Sequence, residues 1–528
     1  AGPARERISR AVHRAAERGE GQLAAVLLLA QSDGYIAAGD PAGALHLVQQ
    51  GLTLDGIEPR TRERLLGSGV ELAISISELE LARRYAAESV VLTEQRVKPE
   101  DPDALRDLAT SLGRLGDVTR YLGDLAAAAT HYQQALDIAR RLADQLDTPQ
   151  AHRDLGLILY KLGNAIRELG DLAAAAICYQ QALDIARRLA DQLDTTEAQR
   201  GLAWCLGRLG DVTRDLGDSA TAATHYEHAV AIFQRLADQL GTSHAHRDLA
   251  WSLERLGDVA RDWGDVTAAT IHYRHVLHIR RRLADELDTP QAQNGLAWSL
   301  NRLGDVARDF GDPATAATHY QQALDIFWRM ADELDTPQAQ NGLAWSLNRL
   351  GDVARDLGDS ATAATYYQQA LDIDRRLADQ LGTRQAQRDL ARSLAGLGDV
   401  ARELGDSATA ATHYQHALDV FRSLAQQRDT LQAQRDLSSS LSRLGAVTRE
   451  LGDPAAARAH YQHALDIDRR LAEQLGTARA LQDLQVGIDD LAQAEEELGH
   501  ADAAAALRAE LATVSDQLAV LSDDPPQN

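Results

Sequence analysis

Lysine is almost missing from this 528-residue chain, which holds only Lys98 and Lys161 against a formal charge of −24 at pH 7. Nucleic acid and anionic lipid surfaces both require clustered cations, so neither is expected as a partner. Two cysteines, Cys178 and Cys205, are too few for a disulfide framework. With no secretory leader and no apolar run of 18 residues, the expectation is a soluble, cytoplasmic chain with no membrane span. Enzyme signatures are also missing: no Gly-Lys-Ser/Thr phosphate loop, no His-Glu-x-x-His and no Gly-x-Ser-x-Gly. No catalytic residue, cofactor or metal is therefore expected. The chain begins Ala1-Gly2-Pro3 without a methionine, which reads as a piece of a larger polypeptide or a trimmed chain.

What is present is repetition. Ala44, Ala82, Ala128, Ala175, Ala222, Ala269, Ala316, Ala363, Ala410, Ala457 and Ala504 recur at one point of a repeating unit, 47 residues apart from Ala128 onward. A fixed period of this length means a stack of one supersecondary unit, with a quasi-one-dimensional core and one long surface. Residues 288–334 show the design. Thr289 is placed to cap a helix opened by Pro290, with Leu296, Leu300, Leu303, Ala307 and Phe310 along one helical face. Gly311 then ends this helix in a left-handed turn, and Asp312-Pro313 starts a second that runs to about Leu334. The unit is two antiparallel helices of about 20 residues, about 30 Å each.

Leu303-Gly304, Gly311-Asp312, Ala316, Tyr320 and Ala323 stand in an order and spacing that resembles the tetratricopeptide repeat. The turn glycine returns at Gly123, Gly170, Gly217, Gly264, Gly358, Gly405, Gly452 and Gly499. The aromatic returns at Tyr132, Tyr179, Tyr226, Tyr273, Tyr367, Tyr414 and Tyr461. The family's usual unit has about 34 residues, so these helices are longer, similar to the arrays of kinesin light chains and of bacterial signalling ATPases. The resemblance implies an all-α, right-handed superhelical solenoid of about eleven antiparallel helix pairs, with one face of the first helices lining a concave groove.

Three regions are expected along the chain. Residues 1–98 hold a leading helix and two degenerate units marked by Gly39-Asp40, Ala44 and Ala82, before a break at Lys98-Pro99-Glu100-Asp101-Pro102. Residues 99–498 form the regular array. Residues 499–528 cap it and end in the polar tail Asp523-Asp524-Pro525-Pro526-Gln527-Asn528. Residues 288–309 and 335–356 are identical, the mark of recent duplication.

On a helical wheel Trp298 falls opposite Leu300, in a polar sector shared with Asn294, Arg302, Asp305 and Asp309. The same place is held by Trp204, Trp251 and Trp345, giving four tryptophans in consecutive units, about 10 Å apart at ordinary helix spacing. Two readings stand: an aromatic ladder that takes an extended peptide or a partner helix, or rings packed against neighbouring helices and arginines.

Beside this column run Arg120, Arg167, Arg214, Arg261, Arg308, Arg355, Arg402 and Arg449, with Asp117, Asp211, Asp258, Asp305, Asp352 and Asp399 three residues before them. Such a comb most often pairs with itself, within a helix or between repeats; its other use is to grip a partner's carboxylates. His131, His225, His272, His319, His413 and His460 precede the tyrosines. Several have a second histidine three residues on, too weak and open a pair for a metal site but able to respond to pH.

These features predict a protein- or peptide-binding scaffold. Its candidate contact residues are Trp204, Trp251, Trp298 and Trp345 with Arg261, Arg308, Arg355, Asp258, Asp305 and Asp352. A regulatory alternative is the ligand-sensing array of a larger signalling ATPase or effector protease. Self-association through the repeat ends is a further expected mode.

Overall fold

A computed structural model describes residues 2–36, 40–76, 78–98, 100–427, 430–476 and 478–523. Gly39, Pro99 and the tail from Asp524 onward lie outside them. Among the described residues every regular element is an α-helix, twenty-three in all, in consecutive packed antiparallel pairs. The helix pairs and the absence of strands among the described residues match the expected all-α repeat class. It divides into two compact units, residues 1–212 and 213–528.

The first unit opens with the helix Gly2–Glu17 and the pairs Gly21–Ile36/Pro41–Leu52 and Pro59–Ser75/Leu79–Arg96. Ala44 and Ala82 are fully buried in these pairs, as the repeat pattern requires. Two regular pairs follow, Pro102–Tyr121/Leu125–Leu146 and Pro149–Leu169/Leu172–Leu193, then the helix Thr196–Asp215. The second unit contains Ser219–Leu240 and six pairs. These are Ser243–Asp262/Val266–Leu287, Pro290–Asp309/Pro313–Leu334, Pro337–Asp356/Ser360–Leu381, Arg384–Glu403/Ser407–Gln427, Leu431–Glu450/Pro454–Leu475 and Ala478–Glu497/Ala501–Asp523.

Local chemistry sets each boundary. The Thr289 side chain accepts from the Ala292 N–H at 3.3 Å, and Asp312 accepts from the Thr315 N–H at 3.0 Å, each satisfying a donor that the helix start leaves unpaired. Gly311 takes φ +74°, a left-handed value that costs other residues about 1–2 kcal/mol. The return turn uses the same conformation without always using glycine. Asp147, Asp194, Asp288 and Asp335 hold φ near +45°, and Gly241, Gly382 and Gly476 stand at the equivalent point elsewhere.

Pairs close on tyrosine. Tyr320 is fully buried and lies flat against Gly304, where an added Cβ would sit 2.5 Å from the ring. Its hydroxyl donates to Asp305 at 2.7 Å. The same tie joins Tyr132 to Asp117, Tyr273 to Asp258, Tyr367 to Asp352 and Tyr414 to Asp399, at 2.6–2.7 Å, and Asn164 replaces the acid for Tyr179. Burial and the adjacent carboxylate push these phenols upward, so each stays a neutral donor.

One expected core position is corrected. Phe310 is 58% exposed: as the residue that caps the first helix, it sits past the last packed turn and points to solvent. Leu296 and Ala307 are only half-buried. Ala297, Val306, Ser299, Asn301 and Asp305 are buried instead. The first helix packs against its own second helix, the preceding second helix and the next first helix, so more than one stripe of it is covered.

Candidate partner-binding face

The arginine comb faces the next repeat. Arg308 donates through Nη1 to Asp352 at 2.8 Å and through Nε to Asp356 at 2.6 Å, both on the following first helix. Arg355 repeats this with Asp399 at 2.8 Å and Glu403 at 2.9 Å. Arg261 does so with Asp305 at 3.5 Å and Asp309 at 2.5 Å. Burial works against the charge on Arg261, Arg308 and Arg355, but the paired carboxylates outweigh it and keep these guanidiniums fully ionised.

The aspartates are shared. Asp258 and Asp305 are buried and Asp352 is half-buried; each gives one oxygen to its own tyrosine and the other to the preceding unit's arginine. A second arginine column, of which only Arg302 was singled out in the sequence, closes the same carboxylates. Arg255 lies 3.0 Å from Asp258, Arg302 3.8 Å from Asp258, and Arg349 3.3 Å from Asp305 and 3.0 Å from Asp352. Burial raises the Asp258 carboxyl, yet Arg255, Arg302 and Arg214 hold it below the usual carboxylate range.

All four column tryptophans are half-buried. Arg208 lies over the Trp204 ring at 5.7 Å. Trp298 meets Phe327 edge to face at 5.6 Å, and its centroid is 5.7 Å from that of Trp345, whose ring carries Arg349 at 4.0 Å. The 10 Å expected from helix spacing is thus corrected for this pair, whose indoles tilt together. Trp251 sits on the first helix one unit earlier. The two remaining tryptophans, Trp263 and Trp328, are more exposed than any of the four, at 48% and 59%.

Beside Trp298 opens a cavity of about 340 Å³, bordered by Arg247, Glu254, Arg280, Leu283 and Asn294. Arg280 pairs closely with Glu254 and also donates to Ser299 at 3.1 Å. The Asn294 carbonyl oxygen is buried there without a partner. The sequence carries a signal for this place. The column Phe233, Arg280, Phe327, Asp374, Phe421, Asp468 alternates phenylalanine with a charged residue.

Other candidates carry less chemistry. Burial lowers the pKa of His272, His319, His413 and His460, so they are neutral at pH 7. Among the described residues no three His, Cys, Asp or Glu side chains converge as a metal group. Burial pushes the Cys205 thiol up to about 12 and raises that of Cys178, leaving both unreactive near neutrality. No helix of the described residues is long and apolar enough to cross a membrane.

A tetratricopeptide-repeat family model matches residues 107–165, 154–212 and 342–399, and a second tetratricopeptide-repeat model matches residues 437–473. No curated protein matches the sequence. Among solved structures, the apo form of RapI is similar over 79% of this chain and 99% of its own, at 14% identity and a TM-score of 0.51. A Rap protein complexed with competence and sporulation factor covers 78% and 99% at 14% identity and a TM-score of 0.45. BtubC (BKLC) from P. vanneervenii covers 48% and 92% at 24% identity and a TM-score of 0.40. The matched segments are similar to tetratricopeptide repeats, and the units between them carry the same Leu-Gly, Gly-Asp, alanine and tyrosine columns.

Proposed function

We propose that the chain is a protein- or peptide-binding scaffold whose groove is lined by the tryptophan, arginine and aspartate columns. The observation that carries this reading is the Trp298–Trp345 pair, two large rings in contact yet left half-open, with Trp298 also bordering the cavity. A folded array gains by burying such rings fully, and half-open indoles backed by fixed charges are the composition of a recognition surface. Trp204, Trp251, Trp298 and Trp345 supply contact area. Arg261, Arg308 and Arg355 with Asp258, Asp305 and Asp352 set the spacing of the units and the charge around the rings. The partner is a polypeptide; the acidic balance of −24 disfavours nucleic acid and anionic lipid. The reading places the chain in the cytoplasm and assigns it no catalytic step.

Phage-displayed random peptides selected on the array test this. Enriched peptides are expected to protect Trp298 and Trp345 from acrylamide. They should lose roughly 1–3 kcal/mol of affinity for Trp298→Ala or Trp345→Ala proteins that keep their helical circular dichroism. Peptides that bind both variants as tightly as the parent, with the rings still quenchable, would contradict the proposal.

A further inference from the structure

A row of large apolar side chains lies exposed along the edge of the second unit where first helices turn into second helices. Trp263, Phe310, Leu357, Leu404 and Leu451 each cap a first helix and precede a left-handed glycine. Phe310, Leu357 and Leu404 are 58%, 61% and 65% exposed. Nothing in the fold needs an apolar group here, since a helix cap facing water accepts any polar residue. Single exposed leucines are ordinary, but an unbroken row at one register position is not.

The comb shows that the row is continuous. Arg261, Arg308, Arg355 and Arg402 bond to Asp309, Asp356, Glu403 and Glu450, each the residue just before a member of the row. Ser360 and Ser407, which open second helices, reach Glu403 and Glu450. Neighbouring members therefore stand one helix-packing distance apart, about 10 Å.

Charge selects the occupant. On one flank the acids Asp309, Asp356, Glu403 and Glu450 are neutralised by arginines. On the other stand Asp312, Asp359, Asp406 and Asp453, which accept from the N–H groups of their own helices. None of these four has an ion-pair partner among the described residues. Hydrogen bonds from Thr315, Thr362 and Thr409 hold the first three carboxyls below the usual carboxylate range, so they are anionic throughout the physiological window. A second copy of this edge would set acid against acid, and an anionic membrane would be repelled.

We infer that this edge docks a basic amphipathic helix of another protein, with an apolar side chain at every seventh residue set between lysines or arginines. Seven residues of helix rise about 10.5 Å, which matches the row. An extended strand would turn every third residue to alternate faces. The edge is separate from the tryptophan face, since Phe310 lies about 18 Å along the helix axis from Trp298.

The test uses the full chain and a fluorescein-labelled 28-residue synthetic helix with leucine at every seventh position among lysine, alanine and glutamine. A scrambled peptide of the same composition serves as control. Anisotropy at about 0.15 M salt is expected to show at least tenfold tighter binding of the patterned peptide. Phe310→Ser/Leu357→Ser/Leu404→Ser should abolish that preference with little change in melting, because these side chains are mostly exposed. Trp298→Ala should leave it intact, whatever becomes of the groove. Equal binding of both peptides, loss on Trp298→Ala with the ridge variant unaffected, capture of phosphatidylserine vesicles instead of the peptide, or dimerisation that the ridge variant removes would each overturn the inference.

Discussion

Residues 288–309 and 335–356 carry the same 22 residues in the same order, yet their surroundings differ. In the first, Gly295 lies beside the Arg280 side chain, Ser299 accepts from Arg280, and the Asn294 carbonyl is left unpaired at a cavity. In the second, Gly342 lies against the Phe327 ring, Ser346 accepts from Asn301, and Asn341 donates to Asp389. Trp298 packs on an aromatic ring, whereas Trp345 lies beneath arginine. What does not change is the framework. Tyr320–Asp305 matches Tyr367–Asp352, and Arg308 reaches its next-unit acids as Arg355 does. The comparison separates two layers: repeated residues lock each unit to the next, and the neighbouring helices decide what the repeated surface presents.

The largest effect should come from exchanging the two environments. Phe327 is fully buried, and the position that supplies Glu254 to Arg280 is Asn301 here, so Phe327→Arg buries a charge without its acid. A loss of about 3–5 kcal/mol, read by urea denaturation, is expected. A loss below about 1 kcal/mol would mean that the two environments are interchangeable.

Asp374, the next residue of this column, sharpens the point. Burial raises its carboxyl to about 6 despite a 2.6 Å bond from Ser393, with Asp389 raising it further and Arg392 and Asn348 opposing. An acid raised in the folded state carries a penalty that is complete above the folded pKa and relieved as the pH falls toward the unfolded value near 3.8. Asp374→Asn should stabilise the array by roughly 2–3 kcal/mol at pH 7.5, with the gain gone near pH 3.8. Melting series from pH 4 to 8 on both proteins check the slope.

Smaller effects should be equal across the pair. Arg308→Gln and Arg355→Gln should each cost about 1 kcal/mol or less, because the ion pairs are half-exposed and framework geometry is common to both sites. Unequal losses would show that the comb also depends on the local tryptophan. Least of all, Asp288→Gly should gain under about 1 kcal/mol by relieving a left-handed aspartate, visible as a slightly higher melting midpoint.

Much of the framework was legible in the sequence. Thr289, Pro290, Gly311 and Asp312 announce the helix ends because capping is local chemistry, and the 47-residue period fixes the stack. Both partners of the tyrosine–aspartate tie stood out as columns, yet their pairing depends on Tyr320 lying flat on Gly304, which no single-helix wheel contains. The same limit hid the exposure of Phe310: a wheel gives an angle but not the point at which packing stops. Arg280 was visible only as a charge in an alternating column, and its meaning required Glu254 of another helix.

The central claim is that neighbours, not the repeated residues themselves, set the local environment, and one pair of substitutions tests it most directly. Gly295→Ala and Gly342→Ala change the same residue of the same 22-residue sequence. At Gly295 the new methyl meets only the flexible Arg280 stem at 3.5 Å, so the helix-propensity gain of about 1 kcal/mol should appear as stabilisation. At Gly342 it collides with the buried Phe327 ring, and overpacking should cost roughly 1–3 kcal/mol. Melting curves of opposite sign are the predicted result. Shifts of the same sign and size would contradict the account.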